Sequence, residues 1–387
     1  MPAEGEVLAN TYPLPRLQLQ HGRGCELWDT DGNNYLDFIS GLGVCAFGHG
    51  DAVFARLAAQ QMLQLAHGSN LFSSRPSLEL GAALLAAAPF AHRVWLCSSG
   101  AESVEAALKF SRLLGRARGG PRKHVWVSFT GSFHGRTFGA LAVTHTASYR
   151  EPFEPGLPGV RFVPFNDLEA AAEAIDADVC GVLVEPVQGE GGVHLATPAF
   201  LQGLRALCDQ RGAALICDEV QCGLGRTGRM FACEHAAVVP DILCLAKPLG
   251  GGLPIGATLL GRQVAELVQP GQHGSTFGGN PVACAVGTEV MRRLQVPSML
   301  EQVQARGAAL QAALRGLLGK TFVGWRGVGL MQALVLAPGT DQAAVVQAAR
   351  HRGLLVSRGG KDAIRLLPPL ICETAHIERA VHILAGL

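Results

Sequence analysis

Residues 242–252 read Ile-Leu-Cys-Leu-Ala-Lys-Pro-Leu-Gly-Gly-Gly, so a short apolar run ends at Lys247 and passes directly into a glycine-rich turn. Residues 214–217, Ala-Leu-Ile-Cys, form a second such run, which Asp218 and Glu219 follow. Continuous rather than alternating apolarity is typical of strands that are buried on both faces of a parallel sheet. Open sheets of this kind hold ligands at the carboxyl ends of their strands. The two stretches therefore predict an α/β domain with Lys247 and Asp218 at one edge of its sheet.

The same pattern extends outward along the chain. Further apolar runs at residues 93–97, 125–129 and 181–184 are each followed by glycine-rich or polar residues and then by a helical stretch rich in alanine and leucine. This repetition predicts a three-layer α/β domain with a mostly parallel central sheet. We place this large domain at residues 46–285.

The two ends of the chain differ from the middle. Residues 24–38 alternate polar and apolar side chains around Asp31-Gly32, a pair that predicts a β-hairpin. The elements predicted after residue 281 are a helical region, strands at residues 329–336 and 363–366, and a helix near residues 341–351. We therefore predict a small α+β domain that both termini form together, from residues 1–45 and 286–387.

The composition limits the class of function. The 387 residues include 32 basic and 31 acidic side chains, and a net charge of +1 supplies no basic field that would attract nucleic acid or an anionic membrane. No run of about 18 apolar residues occurs, and residues 1–15 lack the basic and apolar segments of a secretory signal. The 11 cysteines are an odd number without a C-x-x-C pair, which predicts reduced, buried thiols and no metal site. A cytoplasmic enzyme that acts on small molecules is the expected class.

The segment after residue 97 is a candidate phosphate site. Ser99 and Glu102 have the spacing of a capping box, which predicts a helix that runs to about residue 114. By itself this pattern is typical of any ordinary helix start. Gly100, however, would allow a phosphate group to approach the backbone amides at the positive end of the helix.

Lys247 is the candidate for covalent chemistry. Most lysines are solvated surface charges, but this one follows a buried strand directly. Desolvation lowers the pKa of an ammonium group and favours Schiff-base formation. Asp218 could pair with a pyridinium nitrogen, so the two residues together predict a site for pyridoxal phosphate.

Two glycine motifs do not support a nucleotide site. Residues 223–228 spell G-x-G-x-x-G, yet no helix-length apolar pattern follows before residue 240. Gly319-Lys320-Thr321 lacks the upstream glycine of a P-loop. Neither motif is therefore interpreted as a phosphate-binding loop.

Phe133 and Arg136 follow the predicted strand at residues 125–129. A phenylalanine in this position is more often part of a core than a partner of a cofactor ring. Arg136 lies next to Gly135, and its guanidinium can bind a carboxylate through two parallel hydrogen bonds. Arg136 is therefore a candidate for binding the substrate carboxylate.

Taken together and in order, these motifs resemble the class III aminotransferases of pyridoxal-phosphate fold type I, and within that class the acetylornithine aminotransferases most closely. The resemblance covers nearly the whole chain. The matching stretches are residues 10–12, 27–29, 35–38, 67–71, 99–102, 133–137, 185–192, 218–228, 246–247, 273–281 and 365–370.

The resemblance implies a set of cofactor contacts in a homodimer with shared active sites. Lys247 would form the Schiff base and move protons, Asp218 would hold the ring nitrogen protonated, and Phe133 would stack on the ring. The other implied cofactor contacts are Gly100 and Ala101 at the phosphate, Thr276 from the partner subunit, Gln221 at the ring hydroxyl, and the adjoining Glu219 and Val220.

The resemblance also implies how substrates bind. Arg136, with Ser275 nearby, would bind the α-carboxylate of the amino donor. Glu190 and Arg365 resemble a paired switch in which the glutamate covers the arginine for one substrate and releases it for glutamate, although a structural ion pair is the alternative. Ser98, Ser103 and Val104 depart from the family pattern beside the phosphate site. These departures bear on the affinity for the cofactor more than on the reaction chemistry.

The reaction implied is transfer of the terminal amine of N-acetylornithine to 2-oxoglutarate, giving N-acetylglutamate 5-semialdehyde and glutamate, as in arginine biosynthesis. Related donors stay open, namely succinyl-diaminopimelate, carrier-bound aminoadipate semialdehyde and ornithine. His134, where ornithine enzymes tend to have tryptophan, favours an acylated donor. An aminomutase on the same fold is a further alternative, which would need no external keto acid.

Overall fold

The computed structural model describes residues 7–13 and 17–387. Its strands are β1 (Leu19–Arg23), β2 (Glu26–Asp29), β3 (Asn34–Asp37), β4 (Ala91–Cys97), β5 (Val125–Phe129), β6 (Val160–Val163), β7 (Val179–Val184), β8 (Val187–Gln188), β9 (His194–Leu195), β10 (Ala214–Asp218), β11 (Ile242–Leu245), β12 (Gly256–Gly261), β13 (Phe322–Val328), β14 (Met331–Leu336), β15 (Leu354–Leu355), β16 (Ser357–Gly359) and β17 (Ala363–Leu366). Its helices are α1 (Ala52–Gln64), α2 (Arg75–Ala87), α3 (Gly100–Gly119), α4 (Phe138–Ala142), α5 (Ala147–Arg150), α6 (Leu168–Ala174), α7 (Pro198–Arg211), α8 (Arg262–Ala265), α9 (Pro281–Leu294), α10 (Pro297–Arg315), α11 (Gln342–His351) and α12 (Thr374–Ala385). Shorter helical turns are Ser40–Gly43, Glu151–Phe153, Ala232–Ala236 and Lys247–Gly250.

The central sheet has seven strands in the order β4-β12-β11-β10-β7-β5-β6. All neighbouring pairs are parallel except those of β12, which runs antiparallel to both β11 and β4. The prediction of a mostly parallel sheet is therefore confirmed. Strands β5, β7, β10 and β11 are buried along their whole length, as continuous apolarity predicts.

Two strands of this sheet were not predicted. β12 begins and ends with glycine, and β6 is a four-residue strand that carries Arg161, so neither has the continuous apolar pattern. These strands are held in the sheet by hydrogen bonds to neighbouring strands. A local sequence pattern carries no information about those pairings.

Helix α3 begins where the sequence predicts and ends later. The Ser99 hydroxyl accepts a hydrogen bond from the Glu102 amide at 3.2 Å, and Glu102 Oε2 accepts one from the Ser98 amide at 2.6 Å. The carboxylate thus reaches one residue further back than in an ordinary capping box. The helix continues to Gly119, beyond the predicted end near residue 114, and Gly120 leaves it with a φ of 72°.

The N-terminal hairpin and a C-terminal strand share one sheet. β2 and β3 pair antiparallel with Trp28 opposite Asn34, and Gly32 has a φ of 84°, so the predicted hairpin is confirmed. β15 pairs parallel with β3, which brings the two ends of the chain together. This pairing supports a small domain formed from both termini, whose boundaries at residues 45/46 and 285/286 stay a prediction; residues 1–6 and 14–16 of that domain lie outside the described residues.

The remaining C-terminal strands form a separate antiparallel sheet in the order β13-β14-β17-β16. β14 and β17 match the strands predicted at residues 329–336 and 363–366, and α11 matches the predicted helix, with the Asp341 carboxylate accepting hydrogen bonds from its first amides. β13 and β16 were not predicted. This sheet positions Arg365, which lies on β17.

The described part of the chain contains no helix that is both long enough and apolar enough to cross a lipid bilayer. All the cysteines are free, and all except the partly exposed Cys45 are buried, so the prediction of buried thiols is confirmed for the others. No group of three or more histidine, cysteine, aspartate or glutamate side chains within residues 7–13 and 17–387 is arranged to hold a metal ion.

Candidate active site

A cavity of about 440 Å³ opens at the carboxyl edge of the central sheet. Strands β7, β10 and β11 are neighbours, so the residues at or just after their carboxyl ends are brought to one place: Glu185, Asp218 and Lys247. The other residues that line the cavity are Val44, Ser98, Ser99, Gly100, Ala101, Phe133, His134, Gly135, Arg136, Glu190, Val220, Gln221, Ala246, Gly252, Leu253, Pro254 and Ile255. Most of the predicted site residues therefore meet here.

Lys247 begins a helical turn directly after the fully buried strand β11. Burial lowers the pKa of its ammonium group below the ordinary value, and the nearby Glu190 carboxylate, which acts in the opposite direction, does not cancel this effect. A larger fraction of the amine is therefore neutral than in a solvated lysine. A neutral amine can act as a nucleophile toward an aldehyde and as a base.

Asp218 ends strand β10, and both of its carboxylate oxygens are held by the protein. Oδ1 accepts a hydrogen bond from the Val220 amide at 3.0 Å, and Oδ2 lies 2.7 Å from Nδ1 of His134. Because a carboxylate only accepts hydrogen bonds, Nδ1 of His134 is the donor in this contact. His134 is itself buried, and its amide donates to the Thr144 hydroxyl at 2.9 Å.

Glu185 is a buried carboxyl group that sequence reasoning did not single out. Burial, together with the negative charge of Asp218, raises its pKa well above the ordinary value. Its Oε2 accepts a hydrogen bond from the Phe133 amide at 3.1 Å, which ties the Phe133 segment to the end of β7. Glu185 comes directly after the buried strand β7, and Asp218 similarly stands at the end of β10. This position at a strand end is the sequence signal by which Glu185 could have been predicted.

Gly100 lies at the N-terminus of α3, and both Gly100 and Ala101 line the cavity. A β-carbon at this position would lie 2.7 Å from Cγ1 of Val220, so a larger residue would not fit without a shift. The absence of a side chain leaves the positive end of a long helix accessible to an anion. Together with Lys247, Asp218 and the ring of Phe133, this cradle has the chemistry that pyridoxal phosphate requires: an amine, a carboxylate for the ring nitrogen and a phosphate site.

Glu190 and Arg365 form an ion pair, with 2.8 Å between Oε1 and Nη1. The Arg365 side chain is only 1% exposed, and it also donates to Gln221 Oε1 at 2.9 Å and to the Ser357 hydroxyl at 3.2 Å. Burial alone would raise the pKa of Glu190, but the Arg365 guanidinium lowers it below the ordinary value. Gln221 thus contacts both members of the pair, since its Nε2 lies 3.4 Å from Glu190 Oε1.

Arg136 lines the cavity, and its guanidinium carbon lies 3.5 Å from the ring centre of Tyr149 and 5.6 Å from that of Phe133. Stacking of this kind fixes the plane of a guanidinium while leaving its N–H groups free to bind a carboxylate. Tyr149 was not predicted, because its only signal in the sequence is an isolated aromatic residue on the short helix α5.

Four predicted residues do not line the cavity of the single chain: Arg365, whose contacts are described above, Glu219, Ser275 and Thr276. Glu219 points away from the cavity, and its carboxylate accepts hydrogen bonds from the Ala232 and Cys233 amides at 2.6 and 2.8 Å. Burial raises the pKa of Glu219 to about 7. The Glu219 side chain therefore holds the segment at Ala232 and Cys233 in place. This differs from the prediction that Glu219 contacts the cofactor. Ser275 lies 3.3 Å from the Glu102 carboxylate, and Thr276 is exposed at the surface.

The whole described chain matches one protein family. A family model described as aminotransferase class-III matches residues 7–387. The chain is similar to an acetylornithine aminotransferase of Xanthomonas axonopodis pv. citri, at 46% identity over 95% of this chain and 91% of that protein. It is also similar to an acetylornithine aminotransferase of Caldanaerobacter subterraneus, at 39% identity over 98% and 97% of the two chains.

Solved structures agree with this assignment. The ornithine aminotransferase of Toxoplasma gondii superposes with a TM-score of 0.94 at 31% identity, covering 99% of this chain and 92% of that chain. The N-acetylornithine aminotransferase of Stenotrophomonas maltophilia superposes with a TM-score of 0.84 at 37% identity, covering 97% and 96%. The cavity contains the amine, the carboxylate and the helix terminus that the cofactor of this family needs. The chain belongs to the class III aminotransferases, and it is a pyridoxal-phosphate-dependent aminotransferase of fold type I.

Proposed function

We propose that the enzyme transfers the terminal amino group of N2-acetyl-L-ornithine to 2-oxoglutarate, giving N-acetyl-L-glutamate 5-semialdehyde and L-glutamate, as in arginine biosynthesis. The observation that carries this proposal is the ion pair between Glu190 and Arg365 at 2.8 Å, beside Lys247. The names of the similar Xanthomonas and Caldanaerobacter proteins support the donor.

The ion pair addresses a physical difficulty, because one cavity must accept two different substrates. 2-Oxoglutarate carries a second carboxylate, for which the buried Arg365 guanidinium is a suitable partner. The acylated end of N-acetylornithine is not a dicarboxylate of this kind, and an uncovered buried Arg365 would then lack a counter-ion. Glu190 covers Arg365 for the amine and moves aside for the dicarboxylate. Its side chain is far less buried than that of Arg365, which allows such a movement.

Each residue of the site then has a role. When bound, pyridoxal phosphate supplies a ring that accepts electrons from the substrate carbon. Asp218 keeps the ring nitrogen protonated, and His134 holds Asp218 in place through the 2.7 Å contact. The Lys247 amine moves a proton between the substrate carbon and the cofactor. Arg136 binds the α-carboxylate of the substrate.

The other contacts orient the cofactor. Gly100 and Ala101 present helix amides to the phosphate, Phe133 stacks on the ring, and Gln221 lies near the ring hydroxyl. Gln221 Oε1 already accepts from Arg365, so the same amide links the ring position to the substrate switch. A movement of Arg365 would therefore change its hydrogen bond with Gln221.

We also propose a homodimer in which Ser275 and Thr276 complete the partner's site. Neither residue lines the cavity of its own chain, although both belong to the segment that resembles the family's phosphate-binding stretch. The surface around this segment is apolar, since Phe277 is 63% exposed and Leu71 86% exposed. Asn70 joins the two stretches by donating 2.8 Å hydrogen bonds to the Ser275 and Gly278 carbonyls. Contact with a second copy of the chain would cover this surface.

We also propose that the enzyme is located in the cytoplasm.

Ornithine itself is the second candidate donor. The observation that favours it is the superposition on the Toxoplasma gondii ornithine aminotransferase with a TM-score of 0.94. The two donors differ in charge at the α-nitrogen, because acetylation removes an ammonium group. Direct comparison of the two amines therefore separates these functions.

A half-reaction titration tests the proposal. The purified enzyme with its cofactor is mixed, without keto acid, with N-acetylornithine, N-succinyl-diaminopimelate, ornithine or 4-aminobutyrate, and the visible absorbance of the cofactor is followed. We expect rapid bleaching by N-acetylornithine and recovery on addition of 2-oxoglutarate. Faster bleaching by another amine would move the donor to that amine. Turnover that continues without 2-oxoglutarate would point to an aminomutase.

A further inference from the structure

Arg326, on strand β13, contacts two turns that come from distant parts of the chain. Its Nη1 lies 3.1 Å from Nε2 of His194, which is on β9, next to the turn 189–193. Its two terminal nitrogens also bind both carboxylate oxygens of Asp362, at 2.7 and 3.2 Å, in the turn 360–362 between β16 and β17. Arg326 thus connects the two turns directly.

Each of these turns belongs to one member of the ion pair in the active site. Glu190 lies in the turn between β8 and β9, and Arg365 lies on β17, immediately after the second turn. The two turns also meet through their backbones, since the Gly360 amide donates to the Glu190 carbonyl at 3.0 Å. A β-carbon on Gly360 would lie 2.4 Å from the Gly191 carbonyl oxygen, so the approach is close.

The hairpin that carries Glu190 is held by side-chain hydrogen bonds to other parts of the chain. β8 and β9 are only two residues each and pair with one another. Gln188 anchors the start of the hairpin by donating to the Thr130 carbonyl at 2.9 Å. The return strand is held by the contact of His194 with Arg326 and by Asn166, which donates to the Leu195 carbonyl at 2.9 Å. A two-residue ribbon is not stable by its own hydrogen bonds. The position of Glu190 therefore depends on such anchors, and among them Arg326 also contacts the turn that leads to Arg365.

From this arrangement we propose that Arg326 is a positioning residue that determines how the enzyme divides its affinity between its two substrates. It holds the turn of Glu190 against the turn that leads to Arg365, and so maintains the covered state in which the cavity takes the monocarboxylate amine. Arg326 touches neither substrate nor cofactor and acts through Glu190. This inference rests on the proposed function of the pair as a substrate switch.

The planar guanidinium of Arg326 has a geometry that allows it to bind both turns at once. A guanidinium binds a carboxylate through two parallel hydrogen bonds and still has N–H groups for a third partner. Lysine has a single point charge and cannot hold both turns in the same way. Arg326→Lys should therefore weaken the connection while keeping the charge, and Arg326→Leu should remove it.

The first test compares KM values for the two substrates. In Arg326→Leu we expect the KM for N-acetylornithine to rise at least about fivefold. The KM for 2-oxoglutarate should stay the same or fall, and kcat should change little. Arg326→Lys should give a smaller change in the same direction. Equal changes in both KM values would overturn the proposal, because a general loss of structure affects both substrates alike.

A double mutant tests whether Arg326 acts through Glu190. In Glu190→Gln the switch is already impaired, so adding Arg326→Leu should cause little further change in the ratio of the two KM values. An unchanged effect in this background would refute the coupling. Arg161→Leu is the matched control, since Arg161 forms a 2.7 Å surface ion pair with Asp176 and donates hydrogen bonds to Asp176 and to the Ala174 carbonyl, outside both turns.

Deuterium exchange provides a readout that does not depend on catalysis. Peptides covering residues 187–195 and 357–363 should take up deuterium faster in Arg326→Leu than in the wild type or in Arg161→Leu. Unchanged uptake in both peptides would show that Arg326 does not hold the turns. If the wild type does not react with N-acetylornithine, the proposed donor is wrong, while the exchange data still decide the role of Arg326.

Discussion

Nδ1 of His134 lies 2.7 Å from Oδ2 of Asp218, and both side chains are buried beside the cavity. The contact gives Asp218 a fixed orientation toward the site of the cofactor ring. It also leaves Nε2 of His134 without a hydrogen-bond partner in the described part of the chain. A buried polar atom without a partner is uncommon, and it is consistent with a ligand or a water molecule completing this site.

His134→Leu should reduce kcat on the order of tenfold, equivalent to about 1.4 kcal/mol of transition-state stabilisation. The substitution removes the donor that orients Asp218, although it leaves the carboxylate in place. His134→Gln is the matched variant, because its amide can still donate to Asp218, and it should lose less activity. Steady-state kinetics at saturating cofactor make the comparison. Equal losses in the two variants would mean that the hydrogen bond is not what matters.

Asp218→Asn should lower kcat on the order of a hundredfold or more, since electrostatic stabilisation at a buried position is lost. The neutral amide cannot keep the ring nitrogen protonated, and the ring then accepts electrons less well. Circular dichroism and thermal unfolding should show that the fold remains. Near-normal turnover would indicate that Asp218 is not the partner of the ring nitrogen.

Lys247→Ala should abolish transamination and leave the cofactor bound only non-covalently. Borohydride treatment of the wild type should fix the cofactor to the peptide that contains residue 247, as detected by mass spectrometry. Lys123→Ala serves as the control, because Lys123 is also a buried lysine but donates to the Ala177 and Arg211 carbonyls outside the cavity. Covalent labelling that persists in Lys247→Ala would place the cofactor on another amine.

His49 should make the stability of the protein dependent on pH. Its Nε2 lies 2.7 Å from Oδ2 of Asp37, and the hydrogen bond to Asp37, with a further contribution from Cys45, raises its pKa to about 9. Because the folded-state pKa exceeds the unfolded value near 6.5, the stabilisation is fully present below about pH 6.5 and is lost as the pH rises through about 9.

Urea unfolding of the wild type and of His49→Gln measures this effect. The difference in the free energy of unfolding should be largest near pH 6 and should shrink toward pH 9.5. His351→Gln, at an exposed position at the end of α11, controls for general effects of removing a histidine. A difference that does not change with pH would show that His49 is not charged in the folded protein.

Local patterns were sufficient for the elements with continuous apolarity. Residues 125–129, 214–217 and 242–246 were predicted as buried strands and form β5, β10 and β11, because burial on both faces requires apolar side chains at successive positions. The residues that end these strands, Asp218 and Lys247, were found for the same reason. β6 and β12 were missed, since their pairing comes from neighbours that are distant in sequence.

The sequence by itself therefore determined the class of fold and the identity of Lys247 and Asp218, because these depend on the periodicity of short segments. Only the tertiary structure decided which side chains meet. His134 contacts Asp218, and burial raises the pKa of Glu185, because of the way the loops pack. Packing also brings the Glu219 carboxylate to the Ala232 and Cys233 amides, which donate hydrogen bonds to it. The link from Arg326 to both turns of the ion pair likewise requires three separate chain segments to be placed side by side, and no local pattern of residues contains that information.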